Sequence, residues 1–224
     1  IEKENRYATK EEQEILNRFS GWGGIPQAFD HYNKEWEQEF KELITLLDYT
    51  EYEDAKTSTL DAFYTPKIII DTIYQGLNQL GFNNDNHAKE IFEPSAGIGS
   101  FLSYAKNYSD KYHFTCIELD TISSNILKNL HPNQTIYNKA FQHHLFHKPY
   151  DAFIGNPPFG QKKILDPSDT TLNKTSVHNY FIGNSIKNLK DGGIAAFVVS
   201  SYFLDSKNNL IREYIAKQAT FLGA

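Results

Sequence analysis

From Thr65 to the end of the chain, short apolar runs alternate with stretches of helical periodicity, and this alternation narrows the fold more than any other feature. Ile69, Ile73, Leu77 and Leu80 fall at helical spacing behind Thr65-Pro66, where Thr is a good N-cap and Pro is tolerated in the first turn, and Gly81 closes the segment. Residues 90–93 read as a strand opening onto a glycine turn, residues 101–108 as helix and residues 113–119 as the next strand. Ile122, Ile126, Leu127 and Leu130 form a helical face, followed by short strands over 135–137 and 152–155. Phe181, Ile182, Ser185, Ile186 and Leu189 predict a helix ending at Gly192-Gly193. Residues 194–199 then read as strand, and Leu210, Ile211, Tyr214 and Ile215 as the last helix. Strand and helix in this order predict an α/β fold: a doubly wound, mostly parallel sheet of Rossmann-like type with helices on both faces. Residues 160–177 lack periodicity and read as a long mobile loop.

The preceding region has a different pattern. Ile15 and Phe19 sit at i, i+4, residues 21–26 are a glycine-rich break, and Trp36, Phe40, Leu43, Ile44 and Leu47 fall on one helical stripe. A third short helix is expected between Glu51 and Ala62. The expected division is therefore a helical extension over residues 1–62 and a catalytic domain over residues 63–224. No apolar run approaches the ~20 residues of a membrane span. The polar start, Ile1-Glu2-Lys3-Glu4-Asn5, does not read as a signal peptide. The single cysteine, Cys116, excludes an internal disulfide and a cysteine-built zinc cluster, so no metal and a cytoplasmic location are expected. A chain that starts at Ile and contains no Met reads as a piece of a longer protein. The net charge of −6 counts against a strong general affinity for nucleic acid.

Three segments carry chemistry. In Phe92-Glu93-Pro94-Ser95-Ala96-Gly97-Ile98-Gly99 a strand ends in an acid and turns through two glycines into a helix. Glycine lets the backbone approach a ligand at the carboxyl end of a sheet. The third glycine of a dinucleotide site is missing, because that position is Leu102. The acid suits a cationic ligand, and S-adenosylmethionine carries both a sulfonium and an ammonium. Glu118 closes the next strand, about 20 residues on, where a carboxylate can accept both ribose hydroxyls of a nucleoside. Asp120 reads as the N-cap of the following helix. In the third segment an apolar strand runs into Asn156-Pro157-Pro158-Phe159. The lone pair of an aromatic amine is conjugated into its ring, and two acceptors on its N–H bonds draw the nitrogen toward tetrahedral geometry. The Asn156 side-chain oxygen is one acceptor and the Pro157 carbonyl the other. The prolines remove backbone freedom, and Phe159 offers a face on which an extruded base can stack.

With these motifs in this order the chain resembles the gamma-class N6-adenine DNA methyltransferases, and within them the methyltransferase part of large mobile-element proteins that join such a domain to a helicase. The resemblance implies restriction-modification chemistry: methyl transfer from S-adenosylmethionine to the N6 amine of adenine in DNA. Asp61-Ala62-Phe63-Tyr64-Thr65-Pro66 resembles the family's N-terminal cofactor motif, with Tyr64 and Thr65 near the cofactor. Glu93, Pro94, Ala96, Gly97 and Gly99 resemble the central cofactor motif, and Glu118 the ribose-binding acid. Asn156 to Phe159 resemble the catalytic tetrapeptide, with Asn156 also facing the cofactor. His178-Asn179-Tyr180-Phe181 occupies the place of the following motif, which implies that His178 and Tyr180 lie near the target base. Phe159 and the basic residues nearest the catalytic turn, Lys162 and Lys163, are expected to contact the substrate as well. Phe19-Ser20-Gly21-Trp22-Gly23-Gly24 and Phe221-Leu222-Gly223-Ala224 point to the mobile-element branch. Many relatives carry an acid before the aromatic that ends the third strand. Here that position is Ala140, leaving only Phe141 to stack on the cofactor's adenine. No segment of these 224 residues after the catalytic strand is expected to serve as a target recognition domain, and weak DNA binding by these residues alone is expected. RNA or a protein glutamine is the alternative substrate, although those relatives tend to carry Tyr at the place of Phe159. A cofactor-binding module without turnover is the remaining alternative.

Overall fold

A computed structural model describes residues 1–59, 64–85 and 87–224. Asp61, Ala62 and Phe63, and with them the expected boundary at 62/63, lie outside the described residues. Ahead of that boundary the described residues form the α-helices α1 (Lys10–Leu16), α2 (Glu37–Leu46) and α3 (Tyr49–Ser58). Behind it run α4 (Lys67–Gln79), β1 (Lys89–Glu93), α5 (Ser100–Ala105), β2 (Tyr112–Glu118), α6 (Thr121–Leu130), β3 (Thr135–Asn138), β4 (Tyr150–Gly155), α7 (Val177–Lys187), β5 (Leu189–Phe197), α8 (Ser201–Asp205) and α9 (Leu210–Ala216).

The strands form one sheet in the order β3-β2-β1-β4-β5, and every pairing is parallel. The sequence explains why: the central strands β1, β2 and β4 are short, apolar and each followed by a helix, which leaves both faces to be covered. Ile91, Phe114, Cys116, Ala152 and Ile154 pack on one face with α4, α5 and α6. Phe92, Ile117, Phe153 and Tyr150 pack on the other with Phe141, Phe181 and Ile211. The order reverses between β1 and β4, the switch point at which a crevice opens at the carboxyl ends of the strands.

Four local expectations are corrected. Thr65 does not cap α4: the cap position is Pro66, with no side-chain cap bond, and the helix begins at Lys67. Phe19 is not on a helix with Ile15; α1 stops at Leu16 and Phe19 instead packs edge-on against Trp22, centroids 5.3 Å apart. The α7 helix ends at Lys187, not at Gly192-Gly193, which lie inside β5. Pairing starts at Tyr150↔Leu189 and resumes at Ala152↔Ile194, so β5 carries a bulge that takes up the extra residues. Gly192 has φ +75, and a Cβ on Gly193 would stand 2.9 Å from the Lys190 carbonyl oxygen, so both glycines serve the bulge. Finally, residues 160–177 are folded, with Ile164, Asp166 and Leu172 buried.

The N-terminal helices hold a small cluster of their own, with Ala28, Phe29 and Ala55 buried and Trp22 and Trp36 packed against it. They dock on α6: the Ala8 N–H donates to Asn129 Oδ1 (2.9 Å), Gln13 Nε2 to the Asn129 carbonyl (2.9 Å), and the Thr121 hydroxyl to Asp54 (3.2 Å). Charge divides along the same line. Residues 1–62 contain 15 Asp and Glu against 7 Lys and Arg, whereas residues 63–224 contain 13 against 15. No described helix is long and apolar enough to cross a membrane.

Candidate active site

Parallel register brings the ends of β1, β2 and β4 to one edge. Glu93 pairs with Cys116, two residues before Glu118, while Phe92 pairs with Phe153, two residues before Gly155. Glu93, the glycine turn, Glu118 and Asn156 therefore stand together at the switch point.

The glycine turn is held from several sides. Glu118 accepts from the Gly97 N–H (2.7 Å) with one oxygen and from the Asp120 N–H (2.8 Å) with the other. The Ala96 N–H donates to the Ile117 carbonyl (2.9 Å). Gly97 and Gly99 take φ +57 and +88, the left-handed region that other residues enter at a cost. A Cβ on Gly99 would lie 2.5 Å from Leu127 and 2.8 Å from the His131 ring, so only glycine fits. Tyr64 packs over Gly97, its ring 3.4 Å from where a Cβ would be, and Thr65 is half-buried beside it. Asp120 caps α6 as expected, accepting from the Ser123 N–H at 2.8 Å.

The electrostatics are those of a site built for a cation. Glu93 is 1% exposed, and its Oε2 has no hydrogen-bond partner among the described residues. Burial and the nearby Glu118 push its carboxyl well above the usual range. Burial likewise raises Glu118 to about 7, against the pull of its backbone N–H donors. Two carboxyls kept from charging freely, one of them with an orphaned buried oxygen, would gain from a positively charged ligand. The residues present thus fit a sulfonium- and ammonium-bearing cofactor. Among the described residues, no group of three or more His, Cys, Asp and Glu is arranged to hold a metal ion.

Asn156 follows β4 directly, and the Ser95 hydroxyl donates to its carbonyl at 3.2 Å, tying the tetrapeptide to the Pro94-Ser95 turn of β1. Pro94 and Pro157 are buried, and Pro158 and Phe159 half-buried. Phe159 stacks on His178 (centroids 5.1 Å apart, planes at 21°), and Phe203 from α8 meets that imidazole edge-on at 5.8 Å. Burial lowers the His178 pKa, which keeps the ring neutral. Lys162 and Lys163 are exposed just beyond the tetrapeptide.

Two expected site residues lie deeper. Phe141 is 2% exposed, with its ring 4.8 Å from Phe181 and 5.9 Å from Phe92, so it is part of the core beneath the site. Tyr180 is 1% exposed, and its hydroxyl donates to Asp166 at 2.6 Å. Conversely, the sequence left three residues unnoticed: Ser95, Asp166 and His131. The imidazole Nε2 of His131 lies 3.3 Å from Ser103 Oγ under the glycine turn, and burial lowers its pKa to about 4. Ser95 sat within a motif already read. Nothing local marked His131, whose partner Ser103 is 28 residues away, or the contact of Asp166 with Tyr180, 14 residues on.

The family model of the Eco57I restriction-modification methylase matches residues 29–222, nearly the whole chain. The chain belongs to this family. Among curated proteins it is 27% identical over 171 residues to the defense against restriction protein B of Escherichia phage P1, a match covering 74% of this chain and 7% of that protein. It is 28% identical over 182 residues to the type II methyltransferase M.HincII of Haemophilus influenzae, covering 75% of this chain and 34% of that one. The chain thus spans about a third or less of the length of these relatives. Among solved structures, a Listeria monocytogenes protein described as a class I S-adenosylmethionine-dependent methyltransferase superposes with TM-score 0.60 at 16% identity, covering 90% of this chain and 72% of that one. The methyltransferase subunit of a type I restriction-modification system from Streptococcus thermophilus gives 0.56 at 20% identity, with coverages of 96% and 61%. These two likenesses bear out the Rossmann-like α/β fold. The match to residues 29–222 begins inside the N-terminal helices, so the family's unit includes part of them.

Proposed function

We propose that this chain transfers a methyl group from S-adenosylmethionine to the N6 amine of adenine in DNA. The observation that carries the reading is the tetrapeptide Asn156-Pro157-Pro158-Phe159 at the switch point, tied by Ser95 to the β1 turn that bears Glu93 and the two glycines. Membership of a restriction-modification methylase family supports it.

Glu93, Gly97, Gly99 and Glu118 would hold the cofactor, with Tyr64 and Thr65 at its side. Bound there, the cofactor supplies a methyl group on a sulfonium, which is already a good leaving group, so the protein need only align and polarise the amine. The Asn156 side-chain oxygen and the Pro157 carbonyl accept the two N–H bonds of the amine and turn its lone pair toward the methyl carbon. The proton displaced from nitrogen passes to solvent. Phe159 stacks the extruded base on a ring whose plane His178 already sets. Phe141, buried against Phe181 and Tyr180, leaves the cofactor's adenine to other groups. Residues 1–224 alone are expected to bind DNA weakly, with the remainder of a longer polypeptide, a helicase-bearing one in the mobile-element branch, supplying further contacts.

The test is a methylation assay with labelled S-adenosylmethionine offering DNA, RNA and a glutamine-bearing peptide, with the modified base identified by mass spectrometry. N6-methyladenine in DNA is the expected product. Asn156→Ala should lower turnover by about 10²–10³-fold, the scale on which one preorganised polar group acts, while leaving cofactor binding nearly intact. Product on RNA or peptide but none on DNA overturns the substrate, and an Asn156→Ala variant with normal turnover removes Asn156 from the mechanism.

A further inference from the structure

The segment after the tetrapeptide is a short antiparallel ribbon. The Val177 N–H donates to the Lys162 carbonyl (2.7 Å), Lys163 pairs with Ser176, and the Lys174 N–H donates to the Ile164 carbonyl (3.2 Å). One leg leaves directly from Phe159-Gly160, and the other runs directly into α7, whose second residue is His178. Both ends of the ribbon are thus fixed to the two rings of the candidate base platform.

The ribbon is also locked from inside. Asp166 is 3% exposed and accepts from the Ser168 N–H (2.8 Å), the Ser168 hydroxyl (2.6 Å), the Asp169 N–H (3.1 Å) and the Tyr180 hydroxyl (2.6 Å). Asn173 closes the loop back on the Asp166 backbone through both its amide oxygen (2.6 Å) and its amide nitrogen (3.1 Å). Burial pushes the Asp166 carboxyl up, but the bonds from Ser168 and Tyr180 outweigh it and hold it below the usual range. Leu172 sits over Gly183 of α7, 2.9 Å from where a Cβ would be.

This construction sorts the charges. Both carboxylates of the ribbon are engaged, Asp166 by Tyr180 and Asp169 by Lys187. Lys162, Lys163 and Lys174 remain exposed, and none forms an ion pair with a carboxylate among the described residues. Lys174 sits at φ +69, one of two non-glycine residues in the left-handed region among the described residues. Glycine or asparagine would hold that backbone at lower cost, so a lysine there points to a use for its side chain.

We infer that this ribbon is a preformed phosphate clamp: Lys162, Lys163 and Lys174 contact the phosphodiester groups beside the nucleotide being methylated. Phosphate contacts fix register, and base contacts specify. Three lysines on a ribbon rooted in Phe159 and His178 would hold the backbone of a strand whose base is stacked on the platform. Lys162 is only three residues from Phe159, at most about 10 Å of extended chain, a distance comparable to the spacing of a base from its own phosphates. The overall −6 does not oppose this, because the excess of acids lies in residues 1–62. The inference rests on the reading of DNA as substrate and adds Lys174 and the locked ribbon to it.

The experiment is a titration of residues 1–224 with labelled adenine-containing duplex and single-stranded oligonucleotides at several salt concentrations. Each of Lys162→Gln, Lys163→Gln and Lys174→Gln should reduce the slope of log affinity against log salt by about 0.9 on duplex or about 0.7 on a single strand. Lys10→Gln, in α1, should leave it unchanged. Tyr180→Phe removes the lock without removing a charge. It should keep the slope yet weaken binding several-fold, which an unstructured basic loop would not show. A triple glutamine variant with the wild-type slope, or no DNA binding at low salt, overturns the clamp. The slope is read without turnover: DNA binding through the lysines with no adenine methylation would leave the clamp standing and sink the substrate reading.

Discussion

Both α1 and α3 begin on a capping box, Thr9 with Glu12 and Asp48 with Glu51, whereas α4, the first helix of the sheet unit, follows Pro66 with no side-chain cap bond. The N-terminal helices bury three apolar residues among themselves and carry surface ion pairs such as Lys41–Glu37. The sheet unit buries whole rows of side chains from segments distant in sequence; Phe92 alone meets Phe141, Phe153, Phe146 and Tyr150 within 6 Å. The electrostatics differ in the same sense. Arg6 holds Glu12 down at about 2 through exposed hydrogen bonds, while burial lifts Glu118 to about 7. Local chemistry stabilises the first region and satisfies its charges. Long-range packing stabilises the second, and that surplus lets it keep unfavourable charges at the edge where the cofactor is proposed to bind.

The largest test of this contrast is a pair of core truncations. Phe92→Ala is expected to cost about 3–5 kcal/mol, seen in chemical denaturation as one transition of the sheet unit. Phe29→Ala should instead expose residues 1–59 to protease while the sheet unit stays folded. Loss of both units together in the second variant would break the distinction. Next is pH. Glu118 rises from 4.5 to about 7 on folding, so the folded state binds its proton more tightly, and stability of the sheet unit should fall as pH climbs through that window. Cofactor affinity should run the opposite way, rising by at most about tenfold per pH unit as the carboxylate forms. Glu118→Gln, followed by calorimetry, should flatten both. The carboxyl of Glu12 has the opposite sign: its contribution is present above 4.5 and lost as pH falls toward about 2. Smaller still, Asp48→Ala should cost about 1 kcal/mol through loss of the α3 cap, read as faster amide exchange in its first turn. Lys41→Gln should cost only about 0.3–0.5 kcal/mol, and thermal melting should barely register it.

The regions also differ in how far they could be read from sequence. The order of strands and helices, and the motifs at the ends of β1, β2 and β4, were legible because apolar period and turn residues are written locally. Errors fell where a distant partner decided the outcome. The β5 bulge absorbed Gly192-Gly193, which resemble a helix stop until Leu189 is seen paired with Tyr150. Residues 160–177 look unstructured because their anchor is a buried acid, Asp166, facing a tyrosine 14 residues away. Tyr180 and Phe141 lie in motifs associated with ligands, yet packing turned both rings inward.

What the sequence determined by itself was the doubly wound α/β plan, the glycine turn after an acid, and a strand delivering Asn156-Pro157-Pro158-Phe159 at its end. Each depends on residues within a few positions of one another. Tertiary structure alone decided the rest. It put Glu93 and Asn156 at the ends of adjacent strands at the switch point, set His131 beneath Gly99, stacked His178 on Phe159, and turned Asp166 inward while three lysines stay exposed. Those placements follow from which surfaces meet when the sheet closes, and no spacing along the chain encodes them.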